Sequence, residues 1–168
     1  QFIALRTSAM QEKTRYIVGE IENKDYLRIY DMAEKYLNRL EGVYKPLAVD
    51  VNAAHYLNAA PIWTQRRKNA RVLMSAFSDQ LIFPNLSPED CPMFVPIMVP
   101  NGKRDELRKY LIRHDIYCPV HWPVSKYHKL DEQELRIYKS ELSLVCDQRY
   151  TEEDMCRMVD VINRFLEG

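Results

Sequence analysis

Glycine is scarce in this chain. Four occur among 168 residues, at positions 19, 42, 102 and 168, and no two stand close together. Neither G-x-G-x-x-G nor G-x-x-x-x-G-K-[ST] can be written from them, which excludes a dinucleotide or nucleotide site built on those loops. Cysteine is also sparse, and Cys91, Cys118, Cys146 and Cys156 include no C-x-x-C pair. A disulfide-stapled secreted domain would be smaller and denser in cysteine, and a zinc site would pair its ligands closely. Reduced thiols in a cytoplasmic protein are the expectation. An excess of one charge is missing too, because Lys+Arg and Asp+Glu both number 24. That balance argues against a nucleic-acid backbone binder and against a polybasic membrane-surface protein. No apolar run approaches the ~18 residues of a membrane span. The opening Gln1-Phe2-Ile3-Ala4-Leu5 runs straight into Arg6 and does not read as a signal peptide. It carries no initiator Met, as expected of a processed product or a piece of something longer.

What is present describes a folded domain. Hydrophobic residues make up 46% of the chain, too many for disorder. A chain of this length buries roughly two-thirds of its unfolded surface. Residues 1–24 have mixed charge and weak periodicity, an opening segment expected to be only partly helical. From Asp25 the pattern sharpens: Tyr26, Ile29, Tyr30, Ala33, Leu37 and Leu40 fall on one helical stripe, with Asp25 placed to cap it and Gly42 to stop it. A second helical stretch starts near Asp50 and runs to about Asp79, and Pro61 either kinks it or opens a new helix. Along it Gln65-Arg66-Arg67-Lys68-Asn69 is expected to face outward. Arg66-Arg67-Lys68 reads as a phosphate or nucleic-acid patch or as a solvated helix face, and the neutral chain favours the latter.

After the proline-punctuated residues 80–92, Met93 to Val99 predicts a strand, with Pro96 marking an edge or a bulge. Lys103 to His114 returns to helical period. Ile116 to Trp122 predicts a second strand, Asp131 to Lys139 a short helix, and Ser140 to Cys146 a third strand. Thr151 caps a last helix whose stripe is Met155, Met158, Val159, Ile162, Phe165 and Leu166. The fold class this implies is α+β: a small, mostly antiparallel sheet of about three strands, covered by helices and preceded by a long helical arm.

Three places carry candidate chemistry. His114, His121 and His128 stand seven apart, but they fall on a helix end, a strand and a loop, so no metal site is expected. His121 lies in Cys118-Pro119-Val120-His121-Trp122-Pro123, where two prolines bracket a strand end and set an imidazole beside an indole. That pair either grips a sugar or an aromatic ligand, or packs as a core His–Trp contact. In Cys146-Asp147-Gln148-Arg149-Tyr150, Arg149 either clamps a ligand carboxylate or phosphate, or pairs with Asp147 to shape the turn.

A family resemblance rests on several motifs in order. Arg66-Arg67-Lys68-Asn69-Ala70 on a long helix resembles the R-R-x-N helix of the DegT-type sugar aminotransferases, which are pyridoxal phosphate (PLP) enzymes of fold type I. The similarity continues through Cys91-Pro92-Met93-Phe94-Val95-Pro96, Asp105-Glu106-Leu107-Arg108-Lys109-Tyr110-Leu111 and Ile116 to Pro123. Leu142-Ser143-Leu144 and Asp147 to Met155 complete it. The resemblance implies a helical arm over 1–60 and an aminotransferase-like C-terminal small domain over 61–168. In that family the large domain, N-terminal to this region, supplies the Schiff-base lysine, the acid that pairs with the pyridine nitrogen and the phosphate-binding loop. None of those motifs is found here, and the lysine's role is carried onto neither Lys13 nor Lys24. The implied parent is a PLP-dependent homodimer that aminates a nucleotide-linked keto-sugar with glutamate. The chain itself is expected to hold no catalytic residue, no cofactor and no metal. The loop from His121 to Lys126 should line the cleft, so the candidate substrate-binding residues are His121, Trp122, Lys126 and Arg149. A non-enzymatic interaction module and a stand-alone sugar-binding domain remain as alternatives.

Overall fold

The computed structural model describes residues 1–42, 45–121 and 124–168. The chain folds as two units, Gln1–His55 and Tyr56–Gly168.

In the first unit α1 (Phe2–Ile17) and α2 (Asp25–Leu37) pack as an antiparallel hairpin. Arg6 bridges to Glu34 at 3.2 Å, and the Tyr16 and Tyr26 rings lie 5.6 Å apart. Residues 2–17 thus form a full helix where only partial helicity was expected. Ala9 alone is buried on α1, so burial imposes almost no apolar period on its sequence. Asp25 does not cap α2: it is the first helical residue, and its N–H is taken by the Asn23 side chain at 3.2 Å. The helix also ends before Gly42, its last turn tightened by Arg39 N–H to Tyr36 and Leu40 N–H to Leu37. The helix α3 (Ala48–Tyr56) buries no side chain.

The second unit begins with α4 (Ala59–Ala76). Asn58 caps it by accepting the Ala60 N–H at 3.2 Å, and Pro61 sits in the first turn, where its missing N–H costs nothing. The helical stretch expected from Asp50 to Asp79 is therefore two helices. β1 (Phe94–Met98) then pairs antiparallel with β2 (Glu141–Val145), placing Val95 opposite Leu144, Pro96 opposite Ser143 and Ile97 opposite Leu142. Between the strands lie α5 (Arg104–Arg113) and α6 (Glu132–Ser140), and α7 (Glu152–Glu167) closes the chain. Helix α5 ends with Asp115 at φ 58° and a return bond from Ile116 N–H to Leu111, an αL cap with Asp in glycine's usual place. Reciprocal capping boxes open α6 (Asp131 with Glu134) and α7 (Thr151 with Asp154).

Among the described residues the sheet has two strands, where about three were expected. Residues 116–121 do lie beside β2, but a single backbone bond joins them, Ser143 N–H to Pro119 at 3.2 Å. Pro119 has no N–H to return, so no ladder forms. Pro96 costs β1 nothing. Residues 93 and 99 bond across to 146 and 140, which places Pro96 at a non-hydrogen-bonded position, and its carbonyl accepts Ile82 N–H from the other side.

Period two sorts the two-stranded sheet into faces. Val95, Ile97, Leu142 and Leu144 point into a core shared with Leu73 and Phe77 near the end of α4, Leu107 and Leu111 of α5, and Met155, Met158, Val161 and Ile162 of α7. Phe94, Pro96, Glu141 and Ser143 take the opposite face.

Candidate functional site

The face of the two-stranded sheet opposite the core carries the site. Ser143 stands at its centre, buried, with Glu141 two residues earlier on the same strand face. The chain at 118–121 runs alongside β2 through the Ser143–Pro119 bond, and this brings His121 over Ser143. The His121 Nδ1 lies 2.9 Å from Ser143 Oγ, and Ser143 Oγ lies 2.5 Å from Glu141 Oε1. The edge of Phe94 meets the imidazole, with ring centres 4.6 Å apart and planes at 71°. His121, Ser143 and Glu141 line one wall of a cleft of about 590 Å³, with Pro96, Phe83 and Tyr138 among its other walls. The cleft is largely apolar with a few convergent polar groups, the usual make-up of a small-molecule site.

Only part of the expected set gathers here. His121 lies at this cleft, half-buried against Phe94 and Ser143. Its expected partner Trp122 lies outside the described residues. Lys126 is exposed on a turn, its Nζ 5.0 Å from the centre of the Tyr127 ring. Arg149 lines a different cleft of about 340 Å³, with Arg108, Tyr117 and Asp147. Its guanidinium is already engaged: Nε lies 2.9 Å from Asp147 Oδ1, and Nη2 lies 2.6 Å from Oδ2. Asp147 also accepts the Arg149 backbone N–H at 2.9 Å. These bonds, the Arg149 side chain foremost, hold the Asp147 carboxyl below the usual carboxylate range. Of the two readings of Arg149, this geometry is that of the turn-shaping pair.

The run on α4 faces outward only in part: Lys68 is exposed, but Arg67 and Asn69 turn inward. Arg67 is buried, with Nη1 donating to the carbonyls of Ser87 at 2.5 Å and Asp90 at 2.9 Å while the guanidinium lies 4.7 Å from the Trp63 ring centre. Asn69 is fully buried and donates to the carbonyls of Asp147 at 3.0 Å and Tyr150 at 2.9 Å. Arg66 reaches the Gln148 side chain at 2.7 Å. Backbone carbonyls of loops 84–92 and 146–150 have no ladder N–H to donate to them, and Arg67 and Asn69 of α4 supply the donors. Arg67 and Asn69 make part of the run a backbone clamp, while Lys68 keeps the solvated position that was expected.

His114 Nδ1 meets the Tyr110 carbonyl at 2.9 Å, and no group of side chains among the described residues is arranged to hold a metal ion. All four cysteines are free. Cys118 and Cys146 are buried, and burial pushes their thiols up to about 11 and about 12. Among the described residues no helix is long and apolar enough to cross a membrane.

Sequence reasoning passed over Glu141 and Ser143. Their signal was present, since two polar residues alternate with Leu142 and Leu144 in a strand, but alternation alone reads as a solvated face.

No protein-family profile matches the chain, and no curated protein matches it. Solved structures do. An aminotransferase, TlmJ from Streptoalloteichus hindustanus, aligns with 71% of this chain and 34% of its own at 17% identity and a TM-score of 0.50. A DegT DnrJ EryC1 StrS aminotransferase from Brucella abortus aligns with 62% of this chain and 31% of its own at 20% identity and a TM-score of 0.49. The chain therefore spans about a third of the length of the solved structures it matches. The fold is that of an aminotransferase-like α+β domain.

Proposed function

We propose that this chain is the C-terminal portion of a DegT-type, PLP-dependent aminotransferase that aminates a nucleotide-linked keto-sugar for polysaccharide or glycan biosynthesis. The observation that carries the reading is the likeness in fold to a solved aminotransferase across 71% of the chain. The order of motifs from Arg66 to Met155 supports the choice within that class. On this reading a large domain completes the enzyme, glutamate is the amino donor, and the parent works as a cytoplasmic homodimer.

PLP, when bound, supplies the electron sink for the transamination. Among the described residues no lysine lines either of the two clefts above. The proposal assigns the lysine to the large domain and expects the chain to be inactive alone. Its own contribution is a cleft wall: His121 makes one hydrogen bond to the sugar, and Phe83 and Pro96 provide apolar surface in the same cleft.

The test is His121→Ala in the full-length protein. One neutral hydrogen bond contributes about 0.5–1.5 kcal/mol, so kcat/KM should fall roughly 2- to 12-fold with little change in melting temperature. An unaltered kcat/KM with a lower melting point removes His121 from the site. An upstream gene sequence that encodes no α/β half with a lysine-bearing loop overturns the aminotransferase reading as a whole.

A further inference from the structure

Glu141 and Ser143 on the outer face of the sheet and His121 over it form a directed chain of hydrogen bonds, and its direction follows from counting protons. Ser143 has one hydroxyl proton and two neighbours. Glu141 Oε1 is 2.5 Å away, and a carboxylate can only accept. Two oxygen lone pairs facing each other at that distance with no proton between them would repel, so the Ser143 proton points to Glu141. Ser143 Oγ is then left with lone pairs alone towards His121 Nδ1, 2.9 Å away. The Nδ1 must therefore carry the imidazole proton. In the neutral ring the other nitrogen, Nε2, is an acceptor, and among the described residues it has no hydrogen-bond partner. The ring is also held from the side, its face angle set by the edge contact with Phe94.

We propose that Glu141 and Ser143 are positioning residues that lock His121 in the Nδ1–H tautomer, so that the cleft offers its ligand an acceptor. The group received there is a hydrogen-bond donor, a hydroxyl or an ammonium, and a carbonyl or carboxylate in the same place is refused. This rests on the reading of the cleft as substrate-facing, and it sharpens that reading. Where His121 alone could donate or accept, the relay makes it select a sugar by a hydroxyl or amino group. Ser143 is suited to this because it is buried at the centre of β2, where the strand backbone fixes its Cβ. Glu141 opens the same strand, and its backbone carbonyl is held by Arg104 Nη1 at 3.2 Å.

The experiment is long-range ¹H–¹⁵N NMR of the full chain labelled at histidine, with the His121 signals assigned by their loss in His121→Gln. The expected wild-type spectrum has Nδ1 in the protonated range and Nε2 in the unprotonated range at neutral pH. Ser143→Ala and Glu141→Ala should each return His121 towards the Nε2–H form that free imidazoles prefer. An Nε2–H tautomer in the wild type overturns the relay, as does a tautomer unmoved in both variants. The wild-type tautomer is read without Ser143→Ala or Glu141→Ala having to fold. UDP-glucose, added as the probe, should shift the Nε2 resonance upfield as that nitrogen accepts a hydroxyl. An unshifted Nε2 with the Nδ1–H tautomer in place overturns the sugar reading of the cleft and supports the relay, so the two failures are told apart.

Discussion

At the scale of single residues, the heaviest duty falls on polar side chains that never reach solvent. Asn69 joins α4 to the loop before α7 through the carbonyls of Asp147 and Tyr150, and its own carbonyl accepts from Gln65 at 2.9 Å. Asn69→Ala removes these three bonds, although the Asp147 carbonyl keeps the Tyr150 N–H and the Tyr150 carbonyl keeps Gln65, both at 3.2 Å, and each lost bond costs about 0.5–1.5 kcal/mol. The variant should lose roughly 2–4 kcal/mol, read as a lower urea midpoint with unchanged slope. A loss below about 0.5 kcal/mol would show that water replaces the amide without penalty. Asp147 gives the same loop a dependence on pH. Its folded pKa is depressed by Arg149, so its contribution is full above the unfolded value near ~3.9 and is lost as pH falls through the lower folded value. Asp154 and Glu89 are lowered as well and contribute a background of the same sign. Arg149→Ala should therefore flatten, without abolishing, the fall in melting temperature between about pH 5 and pH 2. Parallel wild-type and variant curves would show that the pair does not couple to folding.

Among the elements, the helices of the second unit were the most legible, because their signals are local. The α7 capping box lies within four residues, and its stripe repeats at the helical period. Of the six residues expected on that stripe, Met155, Met158 and Ile162 are buried and Val159, Phe165 and Leu166 pack partly against the core. Val161 joins them where no member was expected. Thr151 accepts the Asp154 N–H, and Asp154 accepts the Thr151 N–H at 2.8 Å. Thr151→Ala should thus destabilise the protein by about 1 kcal/mol, and Thr151→Ser by much less, in thermal or urea unfolding. Equal losses in both would mean that the methyl group, not the hydroxyl, matters. Strands were less legible. Met93–Val99 and Ser140–Cys146 each bracket a real strand, but residues 116–121, also largely apolar, pair with β2 through one backbone bond among the described residues. Whether an apolar run becomes a strand depends on a neighbour with free N–H and C=O groups in register, and no local pattern records that.

For the whole molecule, the core cluster is drawn entirely from Tyr56–Gly168. Outside it, large apolar side chains remain in water: Val49 is 65% exposed, Leu57 62% and Phe83 67%. With a formal net charge of zero, no electrostatic repulsion keeps copies apart. Sedimentation velocity over a hundredfold range of concentration should show self-association that weakens in mild denaturant. A clean monomer throughout would mean that these side chains are too scattered to form a patch.

The sequence by itself determined the α+β class, the helices of the second unit, the capped start of α7 and the strand that Pro96 does not break. Each follows from interactions within a few residues: period, propensity, a cap or a missing N–H. Only the tertiary structure decided that Arg67 and Asn69 turn inward, that Arg149 spends its fork on Asp147, and that residues 116–121 stop short of a third strand. It alone joined His121 to Ser143 and Glu141, some twenty residues further along the chain. Polar residues of identical local pattern can face water, a loop carbonyl or a cleft. Which of these they meet depends on where distant segments come to rest, because a buried donor or acceptor takes its partner from whatever chain lies beside it.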